Sequence, residues 1–117
     1  MAKTLLAAGA PVMAIGAQGH DAYKFSGSTL QTAIADIASQ TGLPVYITQM
    51  DIPVADDDQQ ATIMKDLVTT FWNDTNVPGI TYWGYIVGST WRSNTGIMKG
   101  DGTRRPAMIW LMDFLGR

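Results

Sequence analysis

Three short apolar runs, each followed by a segment with helical features, constrain this chain more than anything else in it. They are Val12-Met13-Ala14-Ile15-Gly16, Pro44-Val45-Tyr46-Ile47-Thr48 and Gly79-Ile80-Thr81-Tyr82-Trp83-Gly84. Their starts are 32 and 35 residues apart, the length of a βα unit with its crossover. The runs are continuous rather than strictly alternating, which predicts parallel strands covered on both faces.

The intervening segments read as helices. Leu30, Ile34, Ile37 and Ala38 fall at helical spacing between Thr29 and Ser39. Ser28 or Thr29 is the expected N-cap, because a hydroxyl there accepts a free N–H of the first turn, and Gly42 is the expected stop. Asp56-Asp57-Asp58 precedes a segment with Ile63, Met64, Leu67, Val68 and Phe71 on one side. Pro106 suits the first turn of a last helix carrying Met108, Ile109, Leu111, Met112 and Leu115.

The N-terminal Lys3-Thr4-Leu5-Leu6-Ala7-Ala8 run resembles a signal peptide, but Gly9 and Pro11 interrupt it. It reads better as a helix end, a turn and a strand. The fold class is therefore α/β: a helix end and three βα units in one segment, residues 1–117, with no linker and no finer repeat. Three parallel strands cannot close a barrel, so an apolar sheet face and two strand edges should stay open. Met13, Ile15, Val45 and Ile47 are unsuited to exposure on such a face, which makes the chain look like part of something larger.

Composition removes several functional classes. Of the 117 residues, 46% are hydrophobic and 15% charged, and the net charge is −2. That balance gives no electrostatic reason to expect nucleic acid or an anionic membrane as partner. No stretch approaches the roughly 18–20 apolar residues of a membrane span. Cysteine is absent, which excludes a disulfide framework, a zinc–thiolate site and a cysteine nucleophile. All ten acidic residues are aspartate, beside six glutamines, and there is no glutamate at all.

The polar residues collect where the strands end: Gln18 and His20 after the first, Gln49 and Asp51 after the second, Trp83, Trp91 and Arg92 after the third. Parallel α/β folds build sites there, because loops and helix N-termini converge. Tryptophans beside amides, a carboxylate and an imidazole suit a sugar, whose C–H faces stack on aromatic rings while its hydroxyls need fixed partners. Trp72 and Trp110, on helical segments, read as packing residues. Asp56-Asp57-Asp58 lacks the ligand spacing of a calcium loop and reads as a solvated cluster at a helix start. Gly100-Asp101-Gly102 reads as a turn, not a phosphate loop. There is no nucleophile elbow, metal constellation or dinucleotide fingerprint, so no cofactor is expected.

Leu43-Pro44-Val45-Tyr46-Ile47-Thr48-Gln49-Met50-Asp51-Ile52 resembles the Leu-Pro-Val-Tyr-Ile-Thr-Glu-Leu-Asp-Ile signature of glycoside hydrolase family 10, the endo-1,4-β-xylanases. Ile15-Gly16-Ala17-Gln18-Gly19-His20 is similar to that family's sixth-strand motif. Gly79 to Gly84, Trp91-Arg92, Asp101-Gly102 and Arg105-Pro106-Ala107 are similar to its eighth strand, loop and last helix. The resemblance runs from about Leu5 to the C-terminus and implies strands six to eight of a (β/α)8 barrel, incomplete in this chain, from an enzyme that cleaves xylan with retention.

In that reaction one carboxylate attacks the anomeric carbon and a second protonates the leaving oxygen, the two lying about 5–5.5 Å apart. The resemblance places Gln49 at the nucleophile position, where the family has glutamate. Its acid/base glutamate belongs to a fourth strand that this chain does not contain. By the same resemblance His20 and Asp51 support the nucleophile, Trp83 and Trp91 enclose the sugar beside the cleaved bond, and Gln18 and Arg92 are polar residues of that region. Met13 departs from the family's usual aspartate, and Met50 departs as well.

An engineered change at Gln49, natural loss of catalysis, and glutamates recorded as glutamines would each account for the missing carboxylates. The expected function is part of a xylanase, inactive alone, whose barrel a complementary chain or further copies complete. The alternative is a non-catalytic module that binds xylan or xylo-oligosaccharides. A third is a chain that folds only as an oligomer, with no ligand role. Secretion is implied only through the family's polymeric substrate.

Overall fold

The computed structural model describes residues 1–117. Helix α1 (Ala2–Ala7) leads through a turn at Gly9 to strand β1 (Ile15–Gln18). A single 3-10 turn (Ala22–Lys24) precedes α2 (Gly27–Thr41). Strand β2 (Val45–Met50), α3 (Asp57–Trp72), β3 (Ile80–Tyr82) and α4 (Pro106–Phe114) complete the order. The sheet is three-stranded and parallel, in the order β1-β2-β3.

Local chemistry explains the helix boundaries. Ser26, not Ser28 or Thr29, caps α2, its Oγ accepting from the Thr29 N–H at 3.3 Å. The three hydroxyls crowd within one turn, and the most N-terminal takes the extended conformation a cap requires. Gly42 ends α2 in the left-handed conformation (φ 69°), the region where a side chain would be strained. Asp56 caps α3, accepting from the Gln59 N–H at 2.7 Å, and Asp57 and Asp58 follow in the first turn, where carboxylates oppose the helix dipole favourably. Pro106 opens α4 as the spacing predicts.

The strands are displaced from the apolar runs. β1 begins at Ile15, and Met13 lies outside it, 80% exposed. Gln18 and Gln49 belong to β1 and β2 rather than to loops after them. The strands also alternate instead of being covered on both faces. Ile15, Ala17, Val45, Ile47, Met50, Ile80 and Tyr82 belong to the core shared with the helices. The other face carries Gly16, Gln18, Tyr46, Thr48 and Thr81. Ile15, Val45 and Ile47 are thus covered by helices, and the uncovered face is small and polar apart from Tyr46. That removes the argument from those residues against a self-contained module.

The core centres on α3, where Met64, Leu67, Val68 and Phe71 are buried between the sheet, α2 and α4. Gly27 lets the start of α2 close on α3: a Cβ there would collide with the Thr70 hydroxyl, and its N–H donates to Asp66 Oδ2 at 2.8 Å. Trp110 packs on Phe114 with ring centroids 5.0 Å apart, whereas Trp72 is largely exposed and meets only the edge of Phe114. The radius of gyration is 15.5 Å, against about 13 Å for a compact domain of this length. The molecule is elongated, 50 × 26 × 25 Å, with helices on one sheet face and the other face open.

Because Leu67 is fully buried at the centre of this core, Leu67→Ala is expected to lower stability by about 2–5 kcal/mol through lost burial and a residual cavity. Equilibrium urea unfolding checks this. A loss below about 1 kcal/mol would show that the helix layer does not pack on the sheet as described.

Candidate functional site

The C-terminal ends of the strands meet at one carboxylate. Asp51 directly follows β2 and is fully buried. Its Oδ2 accepts two hydrogen bonds, one from His20 Nδ1 at 2.9 Å and one from the Trp91 indole N–H at 2.7 Å. His20 stands two residues beyond β1 and Trp91 in the long loop after β3, so this one oxygen joins all three βα units. The His20 and Trp91 rings lie 4.7 Å apart, tilted by 58°. A carboxylate only accepts, so the shared bond puts a proton on His20 Nδ1 and leaves Nε2 a lone pair in the neutral ring. Asp51 Oδ1, in contrast, is buried without a partner. Such an orphaned acceptor is costly and uncommon in a folded chain.

A second set of contacts spans the top of the sheet. Arg92 donates to the Tyr23 hydroxyl at 3.1 Å and lies over the Tyr23 ring, 5.4 Å from its centroid. Its other terminal nitrogen is 3.8 Å from Asp21, which pairs with Lys24 at 2.9 Å. The Lys24 hydrogen bond holds the Asp21 carboxyl below its ordinary value, and Asp21 in turn raises Lys24. Arg92, read from the sequence as substrate-binding, therefore clasps the loop after β1 to the loop after β3.

The loop that carries Trp91 is fastened from below. Asn94 takes a left-handed conformation (φ 64°), three residues past Trp91. Its carbonyl accepts from Gln60 Nε2 at 3.0 Å and from Arg105 at 3.3 Å. Arg105 is buried and also donates to the carbonyls of Gly96, Val54 and Ala55 and to Asp57 Oδ1. Gln60 Nε2 further donates to the Ile52 carbonyl. These two side chains bind the loop after β2 to the loop after β3. Tyr82 adds a bond from its hydroxyl to the Thr95 carbonyl at 2.7 Å, and burial pushes its phenol well above its ordinary value.

Of the residues singled out from sequence, His20, Asp51 and Trp91 are in direct contact. Trp83 stands just past β3, its N–H bonded to the Met50 carbonyl at 2.7 Å, with its ring exposed. Gln18 is exposed at the end of β1, and Gln49 is half-buried near the end of β2. Tyr23, Gln60 and Asn94 escaped notice, and Arg105 figured only as part of a family motif, without a role. Gln60 alone left a signal, as a polar residue on the otherwise apolar side of α3. No helix is long and apolar enough to cross a membrane.

Asp51→Leu should cost roughly 1–3 kcal/mol, because the half-buried His20 and the indole N–H of Trp91 lose their shared acceptor together. Denaturation with tryptophan fluorescence checks this, the Trp91 emission moving toward that of a solvated indole. An unchanged midpoint would contradict the shared hydrogen bonds.

The model of Glycosyl hydrolase family 10 matches residues 1–114. The chain is 39% identical over 100 residues to endo-1,4-beta-xylanase B of Cellvibrio japonicus, which spans 86% of this chain and 17% of that protein. It is 27% identical over 109 residues to the anti-sigma-I factor RsgI6 of Acetivibrio thermocellus, or 93% of this chain and 13% of that one. Xylanase 10B from Thermotoga petrophila, solved with xylobiose, superposes with a TM-score of 0.77 at 20% identity, over 97% of this chain and 39% of that chain. The chain thus spans less than half the length of each relative it matches. The family match over nearly every residue and the three parallel βα units agree: the chain belongs to glycosyl hydrolase family 10 and has the fold of part of its TIM barrel.

Proposed function

We propose that these three βα units form one wall of a xylan-binding cleft in an endo-1,4-β-xylanase barrel. The observation that carries this reading is the convergence of His20 and Trp91 on one oxygen of Asp51. It fixes an aromatic ring and an imidazole beside the strand end that carries Gln49. Trp83 and Trp91 stack on the sugar faces, and Gln18 supplies donors and acceptors to the hydroxyls. Arg92 shapes the rim through its clasp with Tyr23.

Gln49 occupies the nucleophile position in this proposal. Its amide oxygen carries no charge, so it neither attacks the anomeric carbon effectively nor offsets an oxocarbenium charge. An amide N–H does, however, suit the lone pair left on His20 Nε2. The arrangement favours holding a sugar over turning it over. No glutamate elsewhere in the chain supplies a general acid, and the chain alone is expected to leave xylan intact. A complementary chain or further copies would complete the barrel, and a polymeric substrate places the activity outside the cell.

A second reading is a non-catalytic module for xylo-oligosaccharides. It is favoured by the small polar residues of the open sheet face and by likeness to a protein named as an anti-sigma factor. Calorimetric titration with xylohexaose, beside a reducing-sugar assay on xylan, tests both readings. The expected result is saturable binding that weakens about 3–10-fold in Trp91→Ala, the value of one aromatic stacking contact, with no release of reducing ends. Binding by a chain that remains monomeric in native mass spectrometry selects the module. Binding only by an assembly with other chains selects the barrel part. Absence of heat from chain in either state would refute the cleft, and turnover by the chain alone would refute its inactivity.

A further inference from the structure

Along a regular strand, side chains alternate between faces, so residues 45, 47 and 49 should all point toward the helices. β2 begins that way: Val45 and Ile47 are buried in the helix-facing core and Tyr46 is exposed. Its next buried residue is Met50, 1% exposed, which lines an apolar cavity of about 130 Å³ with Met64, Val68, Ile80 and Leu111. The alternation has therefore slipped by one. The register against β3 shows where: Ile47 pairs with Ile80 and Met50 with Tyr82, so three steps of β2 oppose two of β3. The extra residue lies between Ile47 and Met50, and Gln49 holds a left-handed φ of 56°.

The irregularity is held from both sides. Gly19 N–H donates to the Thr48 carbonyl at 2.7 Å and Trp83 N–H to the Met50 carbonyl at 2.7 Å, the residues flanking Gln49. Gly19 also lies flat against the bend. A Cβ there would stand 3.0 Å from Met50 Cα, 3.1 Å from Met50 Cβ and 3.2 Å from Ile47 Cγ2. Gly16, three residues earlier and inside β1, has no such restriction, its nearest neighbour being Thr48 Cγ2 at 3.7 Å. A non-glycine residue in the left-handed region is strained and persists only where its surroundings enforce it, most often at functional sites.

We propose that Gln49 forms a bulge that shifts the phase of β2, turning side chain 49 out of the helix layer onto the open face with Thr48, and that Gly19 is the positioning residue that permits it. Without the shift, the side chain at 49 would enter the core and Met50 would enter the cleft. The importance of this for sugar chemistry rests on reading position 49 as the nucleophile position. The backbone device itself does not, and its test uses no sugar.

The chain contains no cysteine, so single cysteines at 47, 48, 49 and 50 can be labelled with a thiol-reactive disulfide in the native state. The shifted phase predicts that cysteines at 48 and 49 react at least tenfold faster than those at 47 and 50. Reactive 48 and 50 with protected 49 would overturn the proposal. Gln49→Gly should raise the urea midpoint and Gln49→Val lower it, and no difference between them would contradict the strain. Gly19→Ala should lower the midpoint, to complete unfolding at the extreme, while Gly16→Ala leaves it nearly unchanged. Equal shifts in those two variants would remove Gly19 from the account.

Discussion

One buried carboxylate oxygen holds the upper end of this molecule together. Asp51 Oδ2 takes its donors from residues 31 and 40 positions away, one after β1 and one in the loop after β3. The acceptor is fully buried and both donors spend an N–H on it, so the three strand ends are interdependent. Sheet hydrogen bonds alone would align the strands but would leave the loops free to choose their own directions. The Asp51 bonds choose the direction of Trp91 and the tautomer of His20 at once. The Oδ1 beside them has no protein partner, so the junction rests on one oxygen of the carboxylate.

The rest of the loop architecture serves that junction. Arg105 uses all of its N–H directions on four carbonyls and one carboxylate, and Gln60 ties two of the same segments. Apart from the Arg105–Asp57 pair, both act on backbone carbonyls, which fixes loop paths without dictating loop sequence. Gly96 permits the tight return of this loop, because a Cβ there would collide with the Val87 backbone. Trp91 is therefore fixed at its indole N–H, in a loop tied down at Asn94, Thr95 and Gly96, while its ring stays 61% exposed. A rigid, exposed aromatic surface loses little entropy when a ring stacks on it, which favours recognition of a flat, hydroxyl-bearing ligand.

Much of this was legible in the sequence, and the misses have physical causes. The βα spacing, the stop at Gly42 and the start at Pro106 were readable because each rests on a local preference of one residue. The motifs around His20, Gln49, Asp51, Trp83 and Trp91 marked the family and the strand ends. The faces of the strands were harder. The apolar runs begin before the strands do, and Met13 belongs to the approach to β1 rather than to the sheet. The phase shift in β2 was invisible, because it falls at Gln49, past the apolar run, while the apolar but exposed Tyr46 made that run look continuous. The Arg105 and Gln60 ties were equally hidden, since backbone carbonyls 8 to 51 residues away carry no sequence signature. Arg92 looked like a sugar ligand and is engaged with Tyr23 and Asp21, a partnership that only the folded chain brings about.

In the proposed reading the strand ends form a sugar-binding wall remote from the other two tryptophans, of which Trp110 packs on Phe114 while Trp72, against the sequence expectation of a packing residue, stays largely exposed. The four tryptophans provide four indole N–H reporters, and a nitrogen–proton correlation spectrum followed through a xylohexaose titration reads them separately. The account predicts saturable shifts of the Trp83 and Trp91 signals, with Trp72 and Trp110 stationary. Movement confined to Trp72 and Trp110, or no movement in any of the four, would contradict it.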